Sequence, residues 1–490
     1  MCAMQRLHRD MFDSAASTRP RVWGMNHSPC AGSSAPTVNR EKRPLLSPSW
    51  FAAVMGTAIV ANAAATAPWS FHGLQTAAMV VWLGAAVLLI LLTTCYLRQR
   101  ALRLHAGDPV MAQFFGAPPM ALLTVGAGAL LFGRRLIGLD AALDVDWVLW
   151  SLGTVLGLVT ACTVPYLMVT RHRFAPDAAF GGWLMPVVPP MVSAATGALL
   201  FPHAPAGQLR LALLLGCYAM LGLGLVAVVL VLSMIYGRLV HHEAPTGTVV
   251  PTVWIGAGAL GQSVTALGAL AAAAPSTLPA PYAQGTAVFA LLGGIAVWGF
   301  TMLWLALATG LTIRTIRAGL PFAPTWWSFI FPVGACVTAT GALAARTDSL
   351  VLTWVAAVLY GLLVIAWAVV AGHSLRHAAR HMWRRCAAGH ALRRPVVPEG
   401  RLDGPTVLKG TVRTTTDGRP ISQARVTLLD PAGDVVRDTY TAEDGSYAFS
   451  DLELDHYTVV AAGYPAQATS LTLGGSGYDA FDLTLTHEKG

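Results

Sequence analysis

Charge is scarce in this sequence. Only 11% of its 490 residues are Asp, Glu, Lys or Arg, 55% are hydrophobic, and the mean hydropathy is +0.57. Soluble domains carry about 25% charged residues, so most of this chain is expected in lipid. Organised cysteine is also absent. The seven cysteines, at positions 2, 30, 95, 162, 217, 336 and 386, form no CxxC pair and have no nearby His to complete a metal set. A disulfide framework and a zinc site are both excluded as readings. The histidines fall at the edges of apolar runs or in loops, and no facing pair of haem ligands emerges. No cofactor, metal or catalytic residue is therefore expected. The first 43 residues lack the apolar core of a signal peptide, and Met25 is an alternative start to Met1.

Carboxylates are missing where an ion-coupled pump would need them. No apolar run is read as holding Asp or Glu in its interior, with Asp146, Asp348 and Glu243 assigned to loop edges. Proton or sodium coupling ordinarily uses an ionisable relay inside the membrane, so its absence disfavours a tightly coupled carrier. The formal charge of +8 comes from Arg residues beside apolar runs, which suits lipid headgroups and membrane insertion and not nucleic acid.

What is present is a succession of apolar runs. A hydrocarbon core of about 30 Å takes roughly 20 helical residues. Ten such runs fall near 49–67, 74–97, 110–133, 147–170, 180–201, 209–236, 252–273, 283–311, 326–345 and 350–375. Alternate loops and tails carry 21 Lys and Arg on one side and four on the other, namely Arg134, Arg135, Arg210 and Arg346. This bias, with an even span count, places both termini in the cytoplasm of a multi-pass protein of the plasma (inner) membrane. Prolines concentrate in odd-numbered runs: Pro118 and Pro119, then Pro186, Pro189 and Pro190, then Pro332, with Pro165 as the exception. Kinked odd spans facing an interior passage, with even spans outside, is the expectation. After residue 395 the pattern changes to short alternating strands broken by "DGRP", "DPAGD" and "EDGSY" turns, which reads as a small β-sandwich.

The organisation expected is a basic tail over 1–43, a membrane domain over 44–376, a basic juxtamembrane linker over 377–403, and a β domain over 404–490. Five blocks then stand in order: "SWFAAVMGTAIVANA", "DPVMAQFFGAPPMALLT", "GGWLMPVVPPMVSAATGALL", "PTVWIGAGALGQ" and "LPFAPTWWSFIFPVGA". Over residues 44 to 376 they resemble the tellurite-resistance/dicarboxylate transporter family, which includes bacterial tellurite-resistance permeases, fungal malate permeases and sulfite efflux pumps, and plant slow anion channels. The resemblance implies an all-α polytopic protein, its ten transmembrane helices forming five hairpins in a quasi-five-fold ring, often trimeric with one pore per subunit. It also implies that Phe331, before Pro332, projects into the pore and closes it; Phe329 is the nearest competitor for the role, and simple packing is the alternative for Phe331. Gly56, Thr57, Phe114, Phe115, Pro186, Gly258 and Gln262 are nominated as lining the path by motif and odd-span placement. For the glycines, close helix packing is an equal alternative; Thr57 can bond back to its own helix, and Gln262 can cross-link helices. The segment "GTVRTTTDGRPISQARVTLLDPAGDVV" with "TAEDGSYAFSDL" is similar to a carboxypeptidase regulatory-like, transthyretin-like sandwich, with no peptidase chemistry and no zinc-ligand pair in His456 or His487.

The function expected is passive, channel-like movement of small anions, whether dicarboxylates such as malate and succinate or inorganic anions, with tellurite resistance as a by-product. The alternatives are a proton-coupled dicarboxylate or tellurite/sulfite efflux carrier, and a membrane-anchored sensor or scaffold working through the β domain. The partners expected are the lipid bilayer, the anionic solute, two further copies in a trimer and a cytoplasmic protein for the β domain.

Overall fold

A computed structural model describes residues 46–391 and 407–485, apart from positions 70, 71, 101, 173, 243, 415–417, 423, 430–434, 450–455, 462–466, 473–477 and 481. The expected basic tail, Met25, the linker beyond 391, the side chain of His456, and His487 lie outside the described residues. The chain divides into two units between residues 380 and 381.

The first unit is helical. Its principal helices are α1 (Phe51–Ala65), α2 (Leu74–Gln99), α3 (Ala117–Leu131), α4 (Leu139–Thr170), α5 (Pro189–Leu200), α6 (Gln208–His241), α7 (Ile255–Ala273), α8 (Ala280–Arg317), α9 (Ile330–Thr347) and α10 (Leu350–Ala391). Among the described residues, nine helical segments are long and apolar enough to cross a bilayer. The expected fifth run is different. It is a 3₁₀ turn over Gly181–Leu184 followed by α5, whose 12 residues are too few to span alone. Pro186, Pro189 and Pro190 account for the late start, because proline is accepted in the first turn of an α-helix and not in its interior, and Pro189 and Pro190 are the first two residues of α5.

The same chemistry revises the expected kinks. Each odd helix is led in by a 3₁₀ segment: Pro48–Trp50, Met111–Gly116, Gly181–Leu184, Gly247–Trp254 and Pro324–Phe329. Pro118 and Pro119 lie in the first turn of α3, and Pro332 is the third residue of α9. These prolines start helices; they do not bend them, since a first-turn residue has no intrahelical amide bond to lose. Of the prolines named above, Pro165 sits well inside its helix, α4.

Odd and even helices differ in burial. The four odd segments of spanning length have 78% to 89% of their positions buried, against 22% to 28% in the five even ones. Helix α5 is buried along nearly all its length. Packing runs from α1 to α3, α3 to α5, α5 to α7 and α7 to α9, and α9 returns to α1. Tryptophans of even helices fasten this buried set. Trp82 of α2 donates its indole N–H to the Val125 carbonyl at 3.0 Å, and Trp150 of α4 to that of Ser193 at 2.9 Å. Trp298 of α8 donates to Thr340 Oγ1 at 2.9 Å and Trp304 to the Val253 carbonyl at 2.9 Å, while Trp367 of α10 reaches Thr57 Oγ1 at 3.2 Å. An indole buries a large ring yet must satisfy one donor, so each contact fixes both spacing and rotation of a pair of helices.

Between α2 and α3 a short helix, Leu102–Gly107, carries His105, which is buried with Nδ1 3.0 Å from the Tyr96 hydroxyl and its ring stacked on that of Tyr96. Burial pushes its imidazole below the ordinary value of 6.5, with the Asp108 charge opposing. The folded segment therefore holds a proton less well than the unfolded chain. The stability it contributes is complete above the unfolded pKa and is lost as pH falls through the folded value. Amide hydrogen exchange in residues 102–107, corrected for intrinsic rates, is expected to speed up on going from about pH 7.5 to about pH 5. Unchanged protection would show that the ring stays neutral and buried throughout.

The second unit is strand-rich. Strands β1 (Val407–Thr414), β4 (Ser446–Phe449), β7 (Tyr478–Ala480) and β8 (Leu483–Leu485) form one sheet, in which β4 is antiparallel and β7 and β8 are parallel to β1. The order β3-β2-β5-β6, over Val435–Tyr440, Arg425–Leu429, His456–Ala461 and Gln467–Thr472, makes an antiparallel second sheet. Period-two alternation turns Leu408, Val412, Tyr447 and Phe449 of the first sheet and Val426, Leu428, Tyr457 and Val459 of the second into one apolar cluster. Gly418 and Gly445 occupy positive φ in its turns.

Candidate functional site

Two cavities lie along the odd helices, with Phe331 lining both. The larger, about 550 Å³, is walled by residues from all five: Asn62 of α1, Thr124 of α3, Thr196 of α5, Gln262 of α7 and Thr338 of α9 are among them. It extends to the C-terminal ends of these helices, where Thr66, Leu131, Leu199, Ala272 and Arg346 line it. The smaller, about 10 Å³, sits at their N-terminal ends and is lined by Met55, Met120, Met185, Ile255, Gly258, Ser328 and Pro332. A water needs roughly 10–15 Å³, so this second space has room for about one.

The wall of the large cavity is polar in a particular way. Thr66, Thr124, Thr196 and Thr338 donate their hydroxyl protons to carbonyls of Asn62, Met120, Val192 and Ala335, at 3.0, 2.9, 2.9 and 3.1 Å. Asn62 Nδ2 donates to the Thr124 carbonyl at 2.9 Å, joining α1 to α3. Arg346, the one charged side chain among the lining residues, donates from Nη2 to the Gly268 carbonyl at 2.6 Å. No carboxylate lines either cavity among the described residues.

The nominated residues separate into three positions. Phe331, 4% exposed, stands between the cavities; Gln262 lines the large one; Gly258 and Pro332 line the small one. A Cβ on Gly258 would lie 2.9 Å from the Pro332 Cα, so here lining and close packing are one feature. Gly56 lies against Trp327 and Ile330, Thr57 accepts from Trp367, and Phe114, Phe115 and Pro186 belong to the lead-ins of α3 and α5; none of these five lines either cavity. On the opposite face of α9, a Cβ on Gly334 would lie 2.6 Å from Ile59 Cγ1, so α9 is held tightly against both α1 and α7.

Residues 46–375, about two-thirds of the sequence, match the family model described as voltage-dependent anion channel. The chain belongs to that family. Residues 407–486 match the carboxypeptidase regulatory-like domain. Among curated relatives of this anion channel family member, a sulfite efflux pump of Arthroderma otae is 26% identical over 62% of the chain and 83% of its own length. An uncharacterized transporter of Methanocaldococcus jannaschii is 28% identical over 66% of the chain and 90% of its own. The malic acid transport protein of Schizosaccharomyces pombe is 22% identical over 65% and 75%. Family and relatives together indicate a multi-pass membrane protein engaged in anion transport.

Three residues lining the small cavity escape a reading of the sequence. Met55, Met120 and Met185 are apolar residues in apolar runs, and only their shared place, next to the start of an odd helix, marks them. Asp146 is a correction: it is the eighth residue of α4, fully buried, with both carboxylate oxygens lacking a hydrogen-bond partner, and not at a loop edge. Polar neighbours upstream, Asp140 and Asp144, hid the fact that the helix already starts at Leu139.

Proposed function

We propose that this chain passes small anions passively along a path between its odd helices, and that Phe331 closes the path. The single observation carrying the reading is the place of Phe331, with a 550 Å³ cavity on one side and a 10 Å³ space on the other. A narrow apolar constriction excludes water, and an ion that cannot keep its hydration shell does not cross. Met55, Met120 and Met185 complete that constriction with flexible thioethers, so a rotamer change at Phe331 widens it without moving a helix.

Anion preference follows from backbone electrostatics. The small space lies at the starts of the five odd helices, where helix dipoles place partial positive charge and unsatisfied N–H groups. With no carboxylate on either cavity wall, nothing offsets that field. In this reading Gly181–His203, with α5 at its centre, completes a tenth crossing. The crossings then form five hairpins in a ring, assembled as trimers in the plasma or inner membrane. The loop charge bias sets the narrow end and both termini in the cytoplasm. Gly56, Thr57, Phe114, Phe115 and Pro186 then support the path from behind and at its lead-ins. The basic linker 377–403 lies on anionic lipid, the β unit is a sandwich serving a cytoplasmic protein partner or the trimer, and no step is enzymatic.

One observation favours a proton-coupled carrier instead. Asp146 is a buried carboxyl without partners, and carboxyls within a membrane are ordinarily kept for function. It lines neither cavity, which places it behind the wall of α3, where a Cβ on Gly126 would lie 2.7 Å from its Oδ1. The discriminating test is sulfite and malate efflux from liposomes holding the purified chain. Passive movement follows the membrane potential and ignores an imposed pH gradient; coupled movement follows the pH gradient and stops in Asp146→Asn. A sensor or scaffold leaves efflux at the level of empty liposomes.

A further inference from the structure

The wide end of the large cavity has an electrostatic problem that the family reading leaves open. Five helices end there, and helix C-termini carry partial negative charge and unsatisfied carbonyls. Left alone, such a mouth would repel the solute that the path carries.

The inventory of hydrogen-bond donors on the wall is short. The lining threonine hydroxyls have spent their protons on carbonyls of their own helices and offer lone pairs to the lumen. Thr265 and Thr338 bond each other at 2.8 Å. The Asn62 amide donates to Thr124, and its Oδ1, buried and unpartnered, adds another acceptor. Three lining side chains keep uncommitted N–H groups: Asn62, with the second N–H of its amide, Gln262, with no hydrogen bond among the described residues, and Arg346, alone in carrying charge. Arg346 stands in the last turn of α9 and spends one N–H on the Gly268 carbonyl. A guanidinium has five. No carboxylate among the described residues pairs with it.

We propose that Arg346 recruits the anion at the wide end, and that its planar fork selects oxyanions with two adjacent oxygens, such as carboxylates and sulfite, over spherical halides. The inference rests on the reading of the odd helices as an anion path and adds the residue that recruits the anion and discriminates by its shape. Its positive charge reverses the field of the converging helix ends, and the bond to Gly268 fixes the guanidinium at the wall of α7. Gln262 lies six residues before Gly268 on the same helix, about 9 Å deeper, and offers the next donor on the way to Phe331. A forked donor pair meets two oxygens at once, whereas an ammonium acts as a point charge.

The test compares anion permeability in a Phe331→Ala background, where the constriction is open. Currents carried by sulfite, acetate and chloride are recorded for that variant alone and with Arg346→Lys or Arg346→Gln added. The oxyanion-to-chloride permeability ratio is expected to fall about tenfold with Lys, which keeps the charge and loses the fork, chloride current being retained; a tenfold change corresponds to about 1.4 kcal/mol. With Gln, current from every anion is expected to fall. An unchanged ratio in both variants overturns the proposal while the anion path stands. Absence of anion current in Phe331→Ala itself overturns the path as well. If Arg346→Gln fails to assemble, the Lys variant, which retains a donor for Gly268, decides the matter alone.

Discussion

Replacing Phe331 by alanine is expected to raise anion efflux from proteoliposomes at least about tenfold over the unsubstituted chain, which corresponds to removing about 1.4 kcal/mol or more from the barrier. The ring is what stands between a cavity of 550 Å³ and one of 10 Å³. With only a methyl group at that position the two spaces join, and a continuous column of water replaces a dry constriction. Phe→Ala in a closed core ordinarily destabilises by about 3–5 kcal/mol because a void remains. Here the void opens onto an existing cavity and fills with solvent, so the loss of stability is expected at or below the low end of that range. Phe331→Leu, which keeps an apolar plug of smaller size, is expected to lie between the two in efflux. Equal efflux from wild type and Phe331→Ala would show that the ring does not close the path.

The second large effect is on folding. Gly116 and Gly181 sit in lead-ins where two backbones touch: a Cβ on Gly116 would strike the Met185 carbonyl, and one on Gly181 the Thr252 carbonyl. Neither obstacle can rotate away, since both belong to the segments that start α5 and α7. Overpacking typically destabilises by about 1–3 kcal/mol when side chains can shift. Gly116→Ala and Gly181→Ala are each expected to exceed about 3 kcal/mol and to abolish the folded peak in size-exclusion chromatography. Gly84→Ala, at an exposed position of α2 with nothing within 4 Å of the added methyl, is the control. It is expected to elute normally and to be no less stable, alanine being the better helix former by about 0.5–1 kcal/mol. A normal peak for Gly181→Ala would mean that the α5 and α7 lead-ins are not in contact.

How far the sequence discloses this molecule depends on whether a residue breaks its surroundings. Proline and the Phe331–Pro332 pair interrupt apolar runs, so the distinction between odd and even helices, and the residue that lines both cavities, can be read from them. The direction of the proline effect cannot. A proline inside an apolar run has the same composition whether it kinks a helix or starts one, and only the 3₁₀ lead-ins show the latter. Met55, Met120 and Met185 share the hydropathy of their neighbours and leave no local signal, because their role comes from three helix starts meeting in space. Asp146 is misread for the opposite reason: a carboxylate near Asp140 and Asp144 resembles a loop until the helix is seen to begin at Leu139. In the β unit the alternation and the turn glycines Gly418 and Gly445 mark strands and turns, but the parallel pairing of β7 and β8 with β1 joins residues about 70 apart and has no local trace.

The central claim is that the odd helices enclose an anion-selective path that one aromatic ring shuts, and a planar-bilayer recording tests it most directly. Phe331→Ala is placed under a salt gradient with sulfite as the anion and a large organic cation opposite it. The expected result is a steady current reversing near the sulfite equilibrium potential, together with near-silent wild-type protein. A current reversing near the cation's potential, or none from either protein, would contradict it.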